Sequence, residues 1–341
     1  MTDSACERKT EFFLTSLFSL LKQMKLEYAV LHSFEQMPVA TPSDVDMVCR
    51  GFDETAAVEI IQSMESLTGW KMMQKLWYDI PRCIYLVFQE PSSHDCIALD
   101  FLSDPRGLGA YHIPEDLLLA GRIEERGFYH VSPEVEFSYK LLKRCRKNYL
   151  KPEEIGVLAE LRKRADSIRL KEFLESCLGP ALGRELAELP PEQLGSLSGR
   201  LQEIHAQQLR LLPWSTRIAE QFWKFRRGFF RMTTASGAVV NWPQKTDAEN
   251  LLRLADAHFN IVFRKTQCVD FKQWNRYRTW IALGHSNLVF LLGAPDFSIR
   301  TGRGRENFHT APEVPPLPEL FETLSSILYQ REKKRWSKGK Q

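Results

Sequence analysis

The sequence predicts an α/β protein in two parts: an N-terminal mixed sheet with helices beside it, then a smaller C-terminal parallel α/β domain, joined by a helical linker. Three observations carry this prediction. The first 178 residues run helix, strand, strand, helix, several strands, then helices, the order of a mixed sheet flanked by helices. After Gly237 strands and helices alternate as βαβαβ, the signature of a parallel sheet. Between the two lies the densest run of turn signals (Gly179-Pro180, Pro190-Pro191, Gly195-Ser196), and a length of 341 residues suits two domains. The expected boundaries are 1–178, a hinge and helical linker over 179–231, and 232–341.

Taken in order, Phe13, Leu17, Leu20, Leu21 and Met24 recur at helical spacing and predict an amphipathic helix packed on a sheet. Asp3, Glu7 and Glu11 precede this apolar run, Thr15, Ser16 and Ser19 interrupt it, and no small-residue cleavage site follows, which argues against a signal peptide. Leu26 to His32 is a short apolar strand, followed by a polar loop to Ser43 with Pro38 and Pro42, and by a strand from Val45 to Cys49. Ala57, Ile60, Ile61, Met64 and Leu67 mark a helix over 54–68. Strands are expected at 70–77, 83–88 and 96–102, the last closed by Ser103-Asp-Pro-Arg-Gly107; from Pro114 to about Cys177 the pattern is mainly helical. A helix rich in Gln, Trp and Arg is expected from about Pro191 to Arg231. The second half then reads as strand 238–242, helix 251–258, strand 260–264, a helix around 271–283 and strand 287–292. The tail from Arg331 to Lys340 is basic and reads as a solvated helix end, with contact to a polyanion or membrane surface as the alternative.

Composition narrows the class without naming the chemistry. With 43% hydrophobic and 26% charged residues the chain can fold throughout. A formal net charge of +3 is too small to argue a nucleic-acid coat or a membrane-surface protein from charge alone. No run approaches the roughly 18 apolar residues of a membrane span. Seven scattered cysteines without a CxxC pair suggest reduced thiols in a cytoplasmic protein. The eight histidines form no HxxxH or HExxH pair, so zinc hydrolysis is unsupported. No nucleic-acid-binding motif accompanies the aromatic and basic run Phe222 to Arg231, for which an interdomain or protein partner is expected.

The chemical lead is a set of carboxylates. Asp44 and Asp46, at i and i+2 at the start of a strand, project from one face. Their like charges repel unless a cation or a proton neutralises them. A divalent metal is the usual solution, and carboxylate oxygens suit magnesium. Asp100 stands in an apolar strand, where an unpaired charge is also costly. Together the three aspartates predict a two-metal site; alternatively Asp44, after Pro42 and Ser43, simply ends a loop.

The run Val30-Leu-His-Ser-Phe-Glu35, then Pro38, then Ser43-Asp-Val-Asp-Met-Val48 resembles the nucleotidyltransferase fold of the polymerase-beta type. It is most similar to the bacterial subgroup associated with surface-polysaccharide biosynthesis, in which a thymidylate-kinase-like domain often follows. Leu99-Asp100-Phe101 matches that family's third carboxylate strand, and Val131 to Phe137 with Lys140 and Lys143 resembles its downstream helix. The resemblance spans about residues 10–175. It implies magnesium held by Asp44, Asp46 and Asp100, with Asp100 also activating an acceptor hydroxyl. Ser33, Lys140 and Lys143 would contact the phosphates of a nucleoside triphosphate or another phosphorylated small molecule. The implied reaction is in-line attack on an α-phosphate. One departure stands out: the family's turn usually contains glycine, which lets backbone approach phosphate closely, whereas here His32-Ser33 takes its place. Either this loop holds phosphate less closely, or the fold is kept and the activity lost.

In the second half, strand 237–242, loop 243–250 and the helix after it occupy the position of a Walker A unit and resemble the kinase-like domain in order. The loop has no glycine, and Lys245-Thr246 is not placed as GxxxxGK[ST] requires, so a sheet without nucleotide turnover is expected. Arg300, Arg303 and Arg305 form a basic, Gly-rich stretch that reads as an exposed loop or, if functional, as a clamp for an anionic ligand.

Overall fold

The computed structural model describes residues 3–41, 44–77, 83–104, 112–219, 222, 237–243, 248–259, 265–274, 278, 287–301, 308–310 and 315–338. The fold is mixed α/β, with two compact units. The first comprises Met1–Met64, Trp77–Ile84 and Leu99–Lys224; the second comprises Glu65–Leu76, Tyr85–Ala98 and Phe225–Gln341.

The first unit opens on α1 (Asp3–Gln23), whose Phe13, Leu14, Leu17, Phe18 and Leu21 are buried. Full burial of each such side chain stabilises by about 1.5–3 kcal/mol. The next elements are β1 (Tyr28–Val30), β2 (Val45–Cys49), α2 (Glu54–Thr68), β3 (Lys71–Trp77), β4 (Cys83–Gln89) and β5 (Cys96–Leu102). A short helix α3 (Glu115–Leu119) precedes β6 (Ile123–Glu125) and β7 (Phe128–His130). The seven strands hydrogen-bond in the order β3-β4-β5-β2-β1-β7-β6. β1 is antiparallel to β2 and parallel to β7, and β2 is parallel to β5 with Asp46 opposite Asp100. Every residue of β2 is buried, so its aspartate is carried into the core by the strand itself.

The β6–β7 hairpin falls where mainly helix was expected. Its strands have three residues each, too few to show a period of two. The turn Arg126-Gly127, with φ of +50° and +86°, is the left-handed pair that a two-residue hairpin requires.

Five further helices complete the unit: α4 (Pro133–Lys147), α5 (Pro152–Arg164), α6 (Ser167–Leu178), α7 (Pro180–Glu188) and α8 (Leu201–Leu211). The Gly- and Pro-rich stretch read as a hinge carries helix: α7, then a 3-10 segment over Pro191–Gly199. Pro180 and Pro191 sit in first turns, where the missing N–H costs nothing. Gly183 seats α7 on α6, because a Cβ there would lie 2.4 Å from the Glu175 backbone. The long helix expected from Pro191 is divided at Arg200 and again after Leu211, ahead of Pro213.

The second unit contains a five-stranded sheet in the order β12-β11-β8-β10-β9. β8 (Ala238–Trp242), β10 (Asn287–Leu292) and β9 (Lys265–Asp270) are parallel. β11 (Ser298–Arg300) and β12 (Phe308–Thr310) add an antiparallel edge that the βαβ reading did not contain. The strand expected at 260–264 lies outside the described residues; β9 follows it as a polar edge strand. Of the helix expected over 271–283, Phe271–Gln273 is a 3-10 turn, while 275–277 and 279–286 lie outside the described residues. The core joins Trp242, Phe259, Phe290, Phe297, Leu320 and Phe321 with Met73, Val87 and Ala98. Residues from β3, β4 and β5 thus belong to the same core as the C-terminal sheet, an association that no continuous boundary in sequence would suggest. The basic tail also contributes. In the helix Leu317–Lys338, Arg331 and Glu332 form a buried ion pair, and Arg331 donates to the Thr301 carbonyl.

Candidate functional site

β1 and β2 bring the predicted residues together. Leu31 N–H donates to the Asp46 carbonyl, continuing the ladder to the point where the chain turns at His32 and Ser33. Ser33 adopts φ +60°, the left-handed conformation that glycine favours, so the turn forms without glycine. His32 Nδ1 is 2.9 Å from Ser33 Oγ, and its Nε2 is 2.5 Å from Asp46 Oδ2. Lys143 Nζ lies 3.3 Å from the same carboxylate oxygen and 3.2 Å from His32 Nε2. Tyr139 stacks on His32 at 5.9 Å and lies beneath Lys143 at 5.5 Å.

The neighbouring carboxylates are held differently. Burial alone would raise the Asp46 pKa, but the His32 contact and the Lys143 charge outweigh it and hold the carboxyl well below its usual range. Asp100, its register partner, is driven well above that range by burial and then by the Asp46 charge. It stays protonated and shares a hydrogen bond with Asp46, while Cys83 Sγ donates to Asp100 Oδ1. Asp44 is raised as well, by burial and by Asp46.

Magnesium is the cofactor implied by the sequence, and the donor set tests that expectation. Among the described residues, no group of three or more His, Cys, Asp and Glu side chains is placed to hold a metal ion. Asp46 already has two protein partners with positive or hydrogen-bonding character, and Asp100 carries a proton against a buried thiol. Arranged so, the three aspartates do not fit a two-metal site: the charge cost is met by a histidine, a lysine and a proton.

The cations are placed by α4. Pro133 at its start, acidic Glu134 and Glu136 in the first turn, basic Arg144, Arg146 and Lys147 in the last, and a left-handed Asn148 at its end all suit the helix and its dipole. Helical spacing puts Lys140, Lys143, Arg144 and Lys147 on one face. Lys140, Lys143 and Arg144 line a cavity of about 190 Å³ with His32, Ser33, Glu154, Val157 and Leu158. That volume suits a phosphate-sized group better than a whole enclosed nucleotide, since ligand pockets run to roughly 300–1,000 Å³. Lys140 pairs with buried Glu136 at 3.1 Å, and Arg144 pairs with Glu154. Burial, then the Lys143 and Arg144 charges, lower the Lys147 pKa, a sign that positive charge is crowded on this face.

Ser33, Lys140 and Lys143 therefore surround one cavity, with Asp46 behind them. Arg300 lies on β11 in the second unit; Arg303, Arg305 and the loop residues 244–247, on which the Walker A comparison rests, lie outside the described residues. Arg144, Glu154 and Cys83 were missed. The i, i+3, i+4 spacing of Lys140, Lys143 and Arg144 was a legible signal; nothing in the sequence marks Cys83 as the partner of Asp100.

No protein-family model and no curated protein matches the chain. Among solved structures, JHP933 from Helicobacter pylori is similar at 12% identity and a TM-score of 0.30, covering 60% of this chain and 94% of its own. The polymerase core of TRAMP, an RNA surveillance complex, is similar at 14% identity and a TM-score of 0.22, covering 59% of this chain and 84% of its own. Likenesses at these scores carry no argument about chemistry, so the site must be read from its own geometry.

Proposed function

We propose that the first unit binds a phosphate-bearing small molecule, such as a nucleotide, in the Ser33–Lys143 cavity without a metal-dependent transfer step. The observation that carries this reading is the contrast in charge. Lys140, Lys143, Arg144 and Lys147 face three carboxylates, Asp46, Glu136 and Glu154, of which Glu136 is raised towards neutrality by burial despite Lys140. The excess is positive, and it borders a cavity of phosphate size. His32 supports the same reading: it stands where the resembling family has its glycine turn, and it occupies the oxygen of Asp46 that a metal would need.

A second reading, magnesium-dependent nucleotidyl transfer to an acceptor, is favoured by the pairing of Asp46 and Asp100 in register with Asp44 two residues earlier. The two readings separate in one titration. Labelled ATP and GTP are added to wild type and to Lys143→Met, with and without magnesium. Binding that is independent of magnesium and about tenfold weaker in Lys143→Met is expected. Turnover that requires magnesium and is lost in Asp46→Asn would establish transfer instead.

A further inference from the structure

Past α8 the chain displays an apolar stripe to solvent. Trp214 is 71% exposed, Ile218 56% and Phe222 64%, at i, i+4 and i+8, so on a helix they fall within one narrow sector. Leu211, just before the stripe, is also half exposed at 50%. Residues 214–219 and 222 are helical, and on the opposite side Thr216 and Ala219 are partly covered. Large apolar side chains are singly exposed on many proteins, but a regular row of a tryptophan, an isoleucine and a phenylalanine is a patch that calls for a partner.

The sequence around this row indicates the partner's chemistry. The same spacing continues at Phe225 and Phe229. Between Leu212 and Arg231 the charged residues are Arg217, Lys224, Arg226, Arg227 and Arg231 against a single acid, Glu220. An aromatic stripe flanked by arginine and lysine matches the boundary of a bilayer, where rings sit at headgroup depth and long cationic side chains reach lipid phosphates. Among the described residues no helix is long and apolar enough to cross a membrane, so the contact would be with the surface.

We infer that the segment starting at Trp214 is a docking surface for an anionic lipid bilayer. Its aromatic row enters the headgroup region, and its basic residues pair with lipid phosphate. This site is separate from the cavity beside Lys143 and does not depend on what that cavity binds.

Flotation of the full chain with vesicles tests the inference. One set is phosphatidylcholine alone and the other is phosphatidylcholine mixed with phosphatidylglycerol. The chain is expected to float with the mixed vesicles only, and to be released as salt rises past physiological strength. The triple variant Trp214→Ser, Ile218→Ser, Phe222→Ser is expected to bind at least about tenfold more weakly. Arg217→Glu tests the charge component separately, with a smaller loss. Because all four side chains are exposed, circular dichroism should confirm unchanged folding in each variant. Absence of wild-type binding, equal binding of the triple variant, or wild-type self-association that the triple variant abolishes, without flotation, would each overturn the inference; the last would identify the row as a protein interface.

Discussion

The β2–β5 pair and the face of α4 stand side by side in the first unit, and their charges are handled in opposite ways. On the strands, each acid is neutralised from within: Asp46 by His32 and Lys143, Asp100 by a proton and the Cys83 thiol. On the helix, cations outnumber their carboxylate partners and border open space. A buried carboxylate cannot remain unpaired, so the fold satisfied it with what lay nearby. A half-exposed lysine has water as an alternative and can wait for a ligand. The contrast favours an anion as the missing partner over a metal cation.

The most severe way to break this contrast is to remove Asp46. Asp46→Ala leaves His32, Lys143 and the proton of Asp100 facing no acceptor, and breaking a buried pair costs about 3–5 kcal/mol. Chemical denaturation at neutral pH should show that loss. The sign with pH follows from the lowered pKa: the stability supplied by Asp46 is present above the unfolded carboxyl's value, about 4, and disappears as pH falls through the folded value. Wild type and variant should therefore converge in acid. If magnesium stabilises wild type at neutral pH and not the variant, the carboxylates bind metal after all and the contrast fails.

Asp100 should respond in the opposite direction. Its folded pKa is raised, so its contribution is complete below about 4 and declines as pH rises towards the folded value. Asp100→Asn keeps the shape and a donor towards Asp46 without a group that ionises on unfolding. It should be more stable than wild type at neutral pH, by about 1.4 kcal/mol for each pH unit separating the unfolded and folded values. A destabilised Asp100→Asn would show that the carboxylate is needed in ionised form, as a metal ligand would be.

On the helix, Lys140→Met should weaken nucleotide binding by about tenfold, or roughly 1.4 kcal/mol, with little change in stability because its ion pair with Glu136 is worth about 0–1 kcal/mol once the acid is near neutral. Calorimetric titration against the melting temperature separates the two effects. Loss of stability without loss of binding would make this face structural and remove the contrast from the other side.

Much of this arrangement was legible in the chain, and the reasons for the rest are physical. Asp44, Asp46 and Asp100 stood out because charge is costly in an apolar strand, and Lys140 and Lys143 because helical spacing aligns them. What spacing cannot convey is register. That Asp46 lies opposite Asp100, and that Cys83 reaches Asp100, depend on how separate strands pair. His32 was noticed only as a missing glycine; its role appears once the turn points its ring at Asp46. The β6–β7 hairpin and the edge strands β11 and β12 have three residues each, below the length at which periodicity speaks. The shared core of Met73, Val87 and Ala98 with the C-terminal sheet is a long-range association that local pattern does not encode.

Ser33 gives the smallest and most exact test, because two effects there oppose each other. At φ +60° a residue with a Cβ costs about 1–2 kcal/mol, which Ser33→Gly relieves. Glycine gives back about 0.5–1 kcal/mol through the freer unfolded chain and forfeits the bond between Ser33 Oγ and His32 Nδ1, worth about 0.5–1.5 kcal/mol. The net change should lie within about 1 kcal/mol of zero. Ser33→Ala loses the same bond with no relief of the backbone and should be the less stable of the two, by about 1 kcal/mol, the reverse of the order in a helix interior. Phosphate affinity then decides what the turn is for. If the backbone N–H groups at 33 already face the ligand, the glycine variant should bind as well as wild type or better, because nothing then shields them. If Ser33→Gly binds more weakly while remaining folded, it is the hydroxyl that holds the ligand, and His32 orients that hydroxyl through its Nδ1 as well as holding Asp46 through its Nε2.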